Sequence, residues 1–261
     1  AKPEQPPASL PLTRKTKSMT TNFADEERML IDLVDKFVDN ELMPLEKAVM
    51  EREAAGGEVA LLPEEETPLR AKCKELGLWA LDAPEEVGGS NIRTSVMLAI
   101  QEKIKSTVTP FIFPPDSPNL HMMMEVATPE QKKKYMEPYA RGELRSNIAI
   151  SEPGAGGDPA QMKTRAIRED DEWVINGRKI WVSGVPKADF LILMAATDPG
   201  KGSRGGITAF LMDTNTPGFA IERAIPMIAG ARTYELTFDD VRLKDSQVLG
   251  TVGQGYAPMQ K

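Results

Sequence analysis

The sequence is poor in the groups that most often announce chemistry. Cys73 is the only cysteine in 261 residues, which excludes an intrachain disulfide and makes a reducing compartment the natural expectation. His121 is the only histidine. It stands off the apolar stripe of its own segment and reads as a surface residue, so no metal site is assigned. Basic excess is missing too: 32 Lys and Arg face 39 Asp and Glu, a net charge of −7, which argues against a nucleic-acid partner held through bulk charge. No uninterrupted apolar run approaches the length of a membrane span. These absences leave a soluble, non-secreted protein as the expectation.

What is present divides the chain. Residues 1–22 form a basic, proline-rich tail expected to be disordered; a remnant of a transit peptide is the alternative reading. Residues 23–146 read as an all-α domain. Met29, Leu30, Leu33, Val34, Phe37, Val38 and Leu42 recur at helical spacing and predict a helix over 23–43 that Pro44 ends or kinks. Ala54 to Glu58 and the acidic Glu64-Glu65-Glu66 read as a solvated connection. A helix over 67–76 follows, closed by Gly77, with Leu78 placed against a buried, structural Cys73. Two more helices are expected over 94–104 and 119–126. Thr128-Pro129-Glu130-Gln131 then carries an N-cap threonine, a proline at the first helical position and a glutamine able to complete a capping box, for a helix running to Arg141 and stopping at Gly142.

After Arg145 the pattern alternates. Seven short strands over 162–168, 172–175, 178–183, 190–195, 207–212, 219–223 and 233–238 predict an antiparallel β-barrel or sandwich over 147–250. Asn176-Gly177 is a two-residue hairpin signal that would pair the strands on either side of it. The fold class is therefore α+β and multidomain. Residues 251–261 read as the start of a further helical domain.

The stretch with chemical content runs from Ala149 to Ser183. Ile150-Ser151-Glu152-Pro153-Gly154-Ala155-Gly156-Gly157-Asp158 is a glycine-rich turn whose residues can reach φ > 0 and present amides to an anion such as a pyrophosphate. It is not a dinucleotide fingerprint, because the segment that follows is strand-like. Lys179-Ile180-Trp181-Val182-Ser183 adds an aromatic and a hydroxyl. Glu152, inside the turn, is assigned to holding it through backbone hydrogen bonds. A barrel-core aromatic is the alternative role for Trp181.

Ser-Glu-Pro-Gly-Ala-Gly-x-Asp followed by Asn-Gly-x-Lys-x-Trp-x-Ser resembles the flavin-binding middle domain of the acyl-CoA dehydrogenase family. The likeness covers residues 23–261 and is strongest over 146–250. It implies FAD as cofactor, cradled by the main chain from Ile148, Ala149, Ile150 and Ser151 to Gly156 and Gly157. Ser151 and Ser183 would then touch the flavin ring, Trp181 would pack on its open side, and Val182 would be among the cofactor-binding residues. Where the family motif usually has a serine contacting cofactor phosphate and acyl-CoA, this sequence has Gly157. The basic, glycine-rich loop from Asp198 to Gly205 offers Ser203 and Arg204 as contacts for the CoA end, with an exposed hairpin as the alternative.

The resemblance implies α,β-dehydrogenation of an acyl-CoA thioester, electron-transfer flavoprotein as acceptor, and a homo-oligomer. The implied compartment is the cytoplasm of a bacterium or the mitochondrial matrix of a eukaryote. It also implies a catalytic glutamate in a C-terminal bundle beyond Lys261, so no catalytic residue is assigned in this chain. An oxygen-using oxidase of the same superfamily and a non-catalytic partner subunit are the rival readings.

Overall fold

Amphipathic spacing in the first half and alternation in the second produce two kinds of structure in the computed structural model, which describes residues 23–115, 118–228 and 231–260. The proline-rich tail over 1–22 lies outside the described residues. Among the described residues, no helix is long and apolar enough to cross a membrane.

The helical half begins with α1 (Asp25–Phe37), which opens on Asp25, Glu26 and Glu27, where the helix dipole favours negative charge. Pro44 does not end the helical path. A wider turn over Val38–Leu42 and a 3₁₀ turn over Met43–Leu45 lead directly into α2 (Glu46–Ala54). Proline is tolerated there because its missing N–H falls at the start of a new helical segment. The acidic run is likewise no connection. It forms the first turn of α3 (Pro63–Glu75), where Glu65 accepts the Leu62 amide at 2.9 Å and pairs with Arg52 at 2.9 Å.

α4 (Thr94–Ile104) has the predicted bounds, and α5 spans Pro118–Val126. α6 (Pro129–Gln131), a wider turn over Lys132–Met136 and α7 (Glu137–Arg141) form one continuous path that ends at Gly142 in the left-handed region, φ +76. Leu78 and Cys73 are fully buried in one cluster with Phe37, Leu69 and Ile100. Burial pushes the Cys73 thiol up to about 12, so it packs as a small hydrophobe.

The second half is one sheet of eight strands: β1 (Ser146–Ala149), β2 (Arg165–Glu169), β3 (Glu172–Ser183), β4 (Phe190–Ala196), β5 (Ile207–Asp213), β6 (Phe219–Pro226), β7 (Arg232–Lys244) and β8 (Val248–Leu249). Their order is β6-β7-β3-β2-β4-β5-β8, with β1 beside β4. Pairing is antiparallel except where β1 and β2 meet β4, both parallel. β1 and β8 are too short for alternation to reveal.

The Asn176-Gly177 hairpin is absent. β3 runs through both residues, and its true hairpin is with β2, across Asp170 at φ +53. Two long-range contacts keep this pair in the strand. A Cβ on Gly177 would lie 2.6 Å from Thr164 Cα, and Asn176 exchanges two 2.9 Å hydrogen bonds with Asp240. Trp173 therefore lies in the same strand as Trp181 and packs edge-on to Phe210.

Strands β4 and β5 are buried on both faces. Leu191, Leu193, Phe210 and Met212 enter a core with Ile175, Leu236 and Phe238, so the sheet folds over itself. The alternate residues Phe190, Ile192, Met194, Ala209 and Leu211 pack on Leu120, Met123, Tyr135 and Tyr139 of the helical half.

Candidate functional site

Where β1 ends, the chain leaves the sheet and makes the glycine-rich turn. Glu152 and Ala155 exchange backbone hydrogen bonds of 3.1 and 3.2 Å. The Glu152 carboxylate then faces inward and accepts the Lys163 amide at 2.6 Å and the Thr164 amide at 3.0 Å, the backbone-holding role that its place in the turn suggests. Its third donor is Lys179 of β3, whose ammonium lies 2.9 Å from Glu152 Oε1 and 2.9 Å from the Ile150 carbonyl. Lys179 is fully buried. Burial pulls its ammonium down to about 8 against the opposing pull of Glu152. Burial alone would raise the Glu152 carboxyl, yet Lys179 and the two amide donors hold it below its usual range.

This clamp sets the turn against β3 two residues before the indole. The Ile180 amide donates to the Ser151 carbonyl at 2.9 Å, so Ser151 and Trp181 are brought together. Between Lys179 and Val182 the pairing with β7 slips by one residue. Trp181 occupies that bulge at φ +63 and remains 53 % exposed. A large aromatic in left-handed backbone with its face in solvent is costly on both counts, an arrangement concentrated at binding sites. The core-aromatic alternative for Trp181 is thus not what the structure shows.

Ser183 is exposed at the end of β3, opposite Thr233 of β7. The Thr233 hydroxyl is buried without a hydrogen-bond partner among the described residues. The Ala149 and Val182 side chains enter the sheet's own core and leave only main-chain groups for a ligand. Ile148 and Ile150 are half-buried against the helical half.

The glycines need a correction. Gly154, Gly156 and Gly157 are not in the left-handed region, so backbone conformation does not demand them. A Cβ on Gly156 or Gly157 would meet no protein atom within 4 Å. The sites are open, which suits close approach by something outside the chain. Positive φ appears instead in the second loop, at Gly202 (+52) and Gly205 (+107). Ser203 and Arg204 are exposed there, and a Cβ on Gly202 would lie 3.1 Å from that of Ala160. The two glycine-rich loops are therefore neighbours.

Ser183 also belongs to a separate cavity of about 380 Å³ on the seam between the helical half and the sheet, lined by Phe111, Arg145 and Lys187 among others. Ser151 and Trp181 do not line it.

Lys179 and Tyr256 carry no assignment from sequence. Tyr256 follows Gly253 and Gly255, which bond to Thr208 Oγ1 and the Ile207 carbonyl at 2.8 Å each. Its hydroxyl is buried and unpartnered among the described residues. Burial, then the Glu152 charge, raises its pKa.

Two family models match the chain: the acyl-CoA dehydrogenase N-terminal domain over residues 24–143 and the acyl-CoA dehydrogenase middle domain over 147–241. The (R)-benzylsuccinyl-CoA dehydrogenase of Thauera aromatica is 38% identical over 93% of this chain and 62% of its own length. A 3-(aryl)acrylate reductase of Clostridium sporogenes is 30% identical over 92% of this chain and 62% of its own. The structure of butyryl-CoA dehydrogenase from Megasphaera elsdenii matches with a TM-score of 0.73 at 27% identity, covering 92% of this chain and 62% of that one. The chain thus spans 62% of the length of each of these relatives.

Proposed function

This chain belongs to the acyl-CoA dehydrogenase family, and from that premise we propose that it binds FAD and takes part in α,β-dehydrogenation of an acyl-CoA thioester. FAD, when bound, supplies the acceptor for the hydride equivalent lost from the acyl chain, and an electron-transfer flavoprotein is the proposed outlet for the electrons. The observation that carries this reading is Trp181: half-exposed in left-handed backbone, on a strand tied to a turn whose glycines face open space.

The residues proposed to hold the cofactor fit its chemistry. The main chain from Ile148 to Gly157 is proposed to cradle the cofactor, with the amides of Gly156 and Gly157 suiting a diphosphate, since those of Glu152 and Ala155 bond each other within the turn. The Ser151 and Ser183 hydroxyls can donate to a polar ring edge, stabilising charge that develops there, and the indole of Trp181 keeps water off a flat apolar face. Val182 contributes only backbone, since its side chain is in the core. The Glu152–Lys179 clamp fixes the distance between turn and strand before any ligand arrives, so little ordering remains to be done on binding. Gly157, Ser203 and Arg204 are the proposed contacts for CoA. Glu152 is no candidate for the catalytic base, because both its oxygens are engaged by Lys179, Lys163 and Thr164.

The test is an FAD titration of protein expressed from its complete coding region. Uptake should quench tryptophan emission and turn the protein yellow. Trp181→Ala should weaken FAD binding by about fivefold or more, from the loss of stacking alone. Protein that stays colourless, or an alanine variant that binds FAD as well as the parent, would overturn the assignment. Peroxide release during turnover would instead favour the oxidase.

A further inference from the structure

The row of side chains that ends at Ser183 holds a polar group that no contact accounts for. On β7, Tyr234, Leu236 and Phe238 enter the sheet's own core, so by alternation Thr233 and Glu235 stand on the opposite face. Val182 of β3 is in that core too, which puts Ser183 on the face of Thr233. The register sets Ser183 directly opposite Thr233, and Thr233 opposite Ile225 of β6. Across three strands the row therefore reads Ile225, Thr233, Ser183.

The Thr233 hydroxyl is buried and has no hydrogen-bond partner among the described residues. Such a group costs stability, because its hydration is lost and nothing replaces it. Ile225 has no side-chain donor or acceptor to offer. Glu235 shares the face, but its carboxylate bonds to Arg223 at 2.7 Å and not to Thr233. Ser183 is thus the cross-strand neighbour with a hydroxyl. Serine and threonine directly opposite each other are a pair that hydrogen-bonds across strands. Ser183 is exposed, so its side chain is free to change rotamer.

We propose that Thr233 is a positioning residue for Ser183: as Ser183 directs its hydroxyl hydrogen to the polar edge of a bound flavin, the Thr233 hydroxyl donates to Ser183 Oγ. The inference rests on the flavin reading and deepens it, adding a residue of β7 that lies outside the Ala149 to Ser183 stretch. A hydroxyl has one hydrogen and two acceptor lone pairs. A bond received from Thr233 leaves the Ser183 hydrogen for the ligand and fixes its direction. It also makes Ser183 the stronger donor, since linked hydrogen bonds polarise one another. The cost of the orphaned hydroxyl is carried by the free protein and relieved on binding.

The experiment compares Thr233→Val, which keeps the shape and removes the hydroxyl, with Thr233→Ser, which keeps the hydroxyl. Both are made in protein from the complete coding region. Before FAD is added, Thr233→Val should melt at or above the temperature of the parent, because the hydroxyl it removes has no partner to lose. It should weaken FAD by about three- to tenfold, the scale of one hydrogen bond. It should also lower the midpoint potential of the bound flavin, because a weaker donor at the ring edge stabilises less negative charge there. Thr233→Ser should restore both properties. In a Ser183→Ala background, Thr233→Val should have no further effect on either.

A Thr233→Val protein that melts lower than the parent without FAD would overturn the proposal, since the hydroxyl would then have a structural partner. So would unchanged affinity and potential, or a full effect in the Ser183→Ala background, and each of these leaves the flavin reading intact. A parent protein that takes up no FAD overturns both.

Discussion

Gly157 separates two reasons for a glycine. A conformational reason fails, because the residue is not in the left-handed region; open space within 4 Å of a built Cβ leaves approach by a ligand. Gly157→Ser should therefore change stability by no more than about 0.5 kcal/mol, while restoring the hydroxyl that the family motif carries. Acyl-CoA should then bind up to about tenfold tighter. Thermal melts beside a binding titration check both halves, and a serine that destabilises the fold contradicts the open-space reading. Lys179 is the opposite case, a charge with no room to leave. Lys179→Met would strand Glu152 beside two amides without its cation, costing about 3–5 kcal/mol, and adding Glu152→Gln should recover part of that loss. The pH dependence has a definite sign. Folded Lys179 titrates at about 8 and the unfolded chain near 10.5, so between these values the unfolded state binds more protons. The destabilisation from the buried ammonium is complete below about 8 and relieved as pH rises to 10.5. Stability should rise across that window by up to about 1.4 kcal/mol per pH unit more than in Lys179→Met. Denaturant melts at intervals across the window measure it; parallel profiles would contradict the burial.

At the scale of elements, what was legible from sequence follows the range of the interactions involved. The Thr128 cap is local: the Gln131 amide donates to Thr128 Oγ1 at 3.2 Å, and Gln131 Oε1 accepts the Thr128 amide at 3.1 Å, so three residues of sequence carry the whole signal. Asn176-Gly177 also carries a local signal, and there the local signal misleads. Thr164 and Asp240 lie far along the chain, and they turn a hairpin pair into a bulge in a through-running strand. Pro44 misleads similarly, since a proline expected to end a helix stands instead at the start of the next helical turn. In the site, Ser151, Trp181 and Ser183 are visible as a motif, whereas the Lys179 pairing spans 27 residues and only folding makes it apparent. Gln131 shows both ranges in one side chain. Beyond its cap, Nε2 donates to the Ser246 and Val248 carbonyls at 2.8 Å each. Thr128→Ala should therefore cost about 1 kcal/mol, as an ordinary cap does. Gln131→Leu should cost about 2–3 kcal/mol, because it also leaves carbonyls buried without donors. Equal losses for the two in chemical denaturation would mean that the link to β8 contributes nothing.

For the whole molecule, the change of pattern near residue 146 marks a change of architecture without marking an energetic boundary. The outward faces of β4 and β5 are as deeply buried as the sheet's own core, and what covers them is α5 with the path from α6 to α7. Phe190, Ile192, Met194 and Leu211 are each fully buried. Stripping the helices from them would forfeit roughly 2 kcal/mol per side chain, a sum comparable with the roughly 5–15 kcal/mol that holds an entire domain folded. The ion pair of Glu66 with Lys187 crosses the same seam. A fragment of residues 147–250, cut where the pattern changes, should therefore bind a hydrophobic dye and lack a cooperative melt. In the 261-residue chain, helix content by circular dichroism and emission from Trp173 within the sheet should be lost in one coincident transition. A fragment that melts cooperatively by itself, or two separated transitions in the chain, would show that the shared face is a docking contact between independent units. The seam cavity would then open and close with their motion, and its cations would be held together only while the halves are joined.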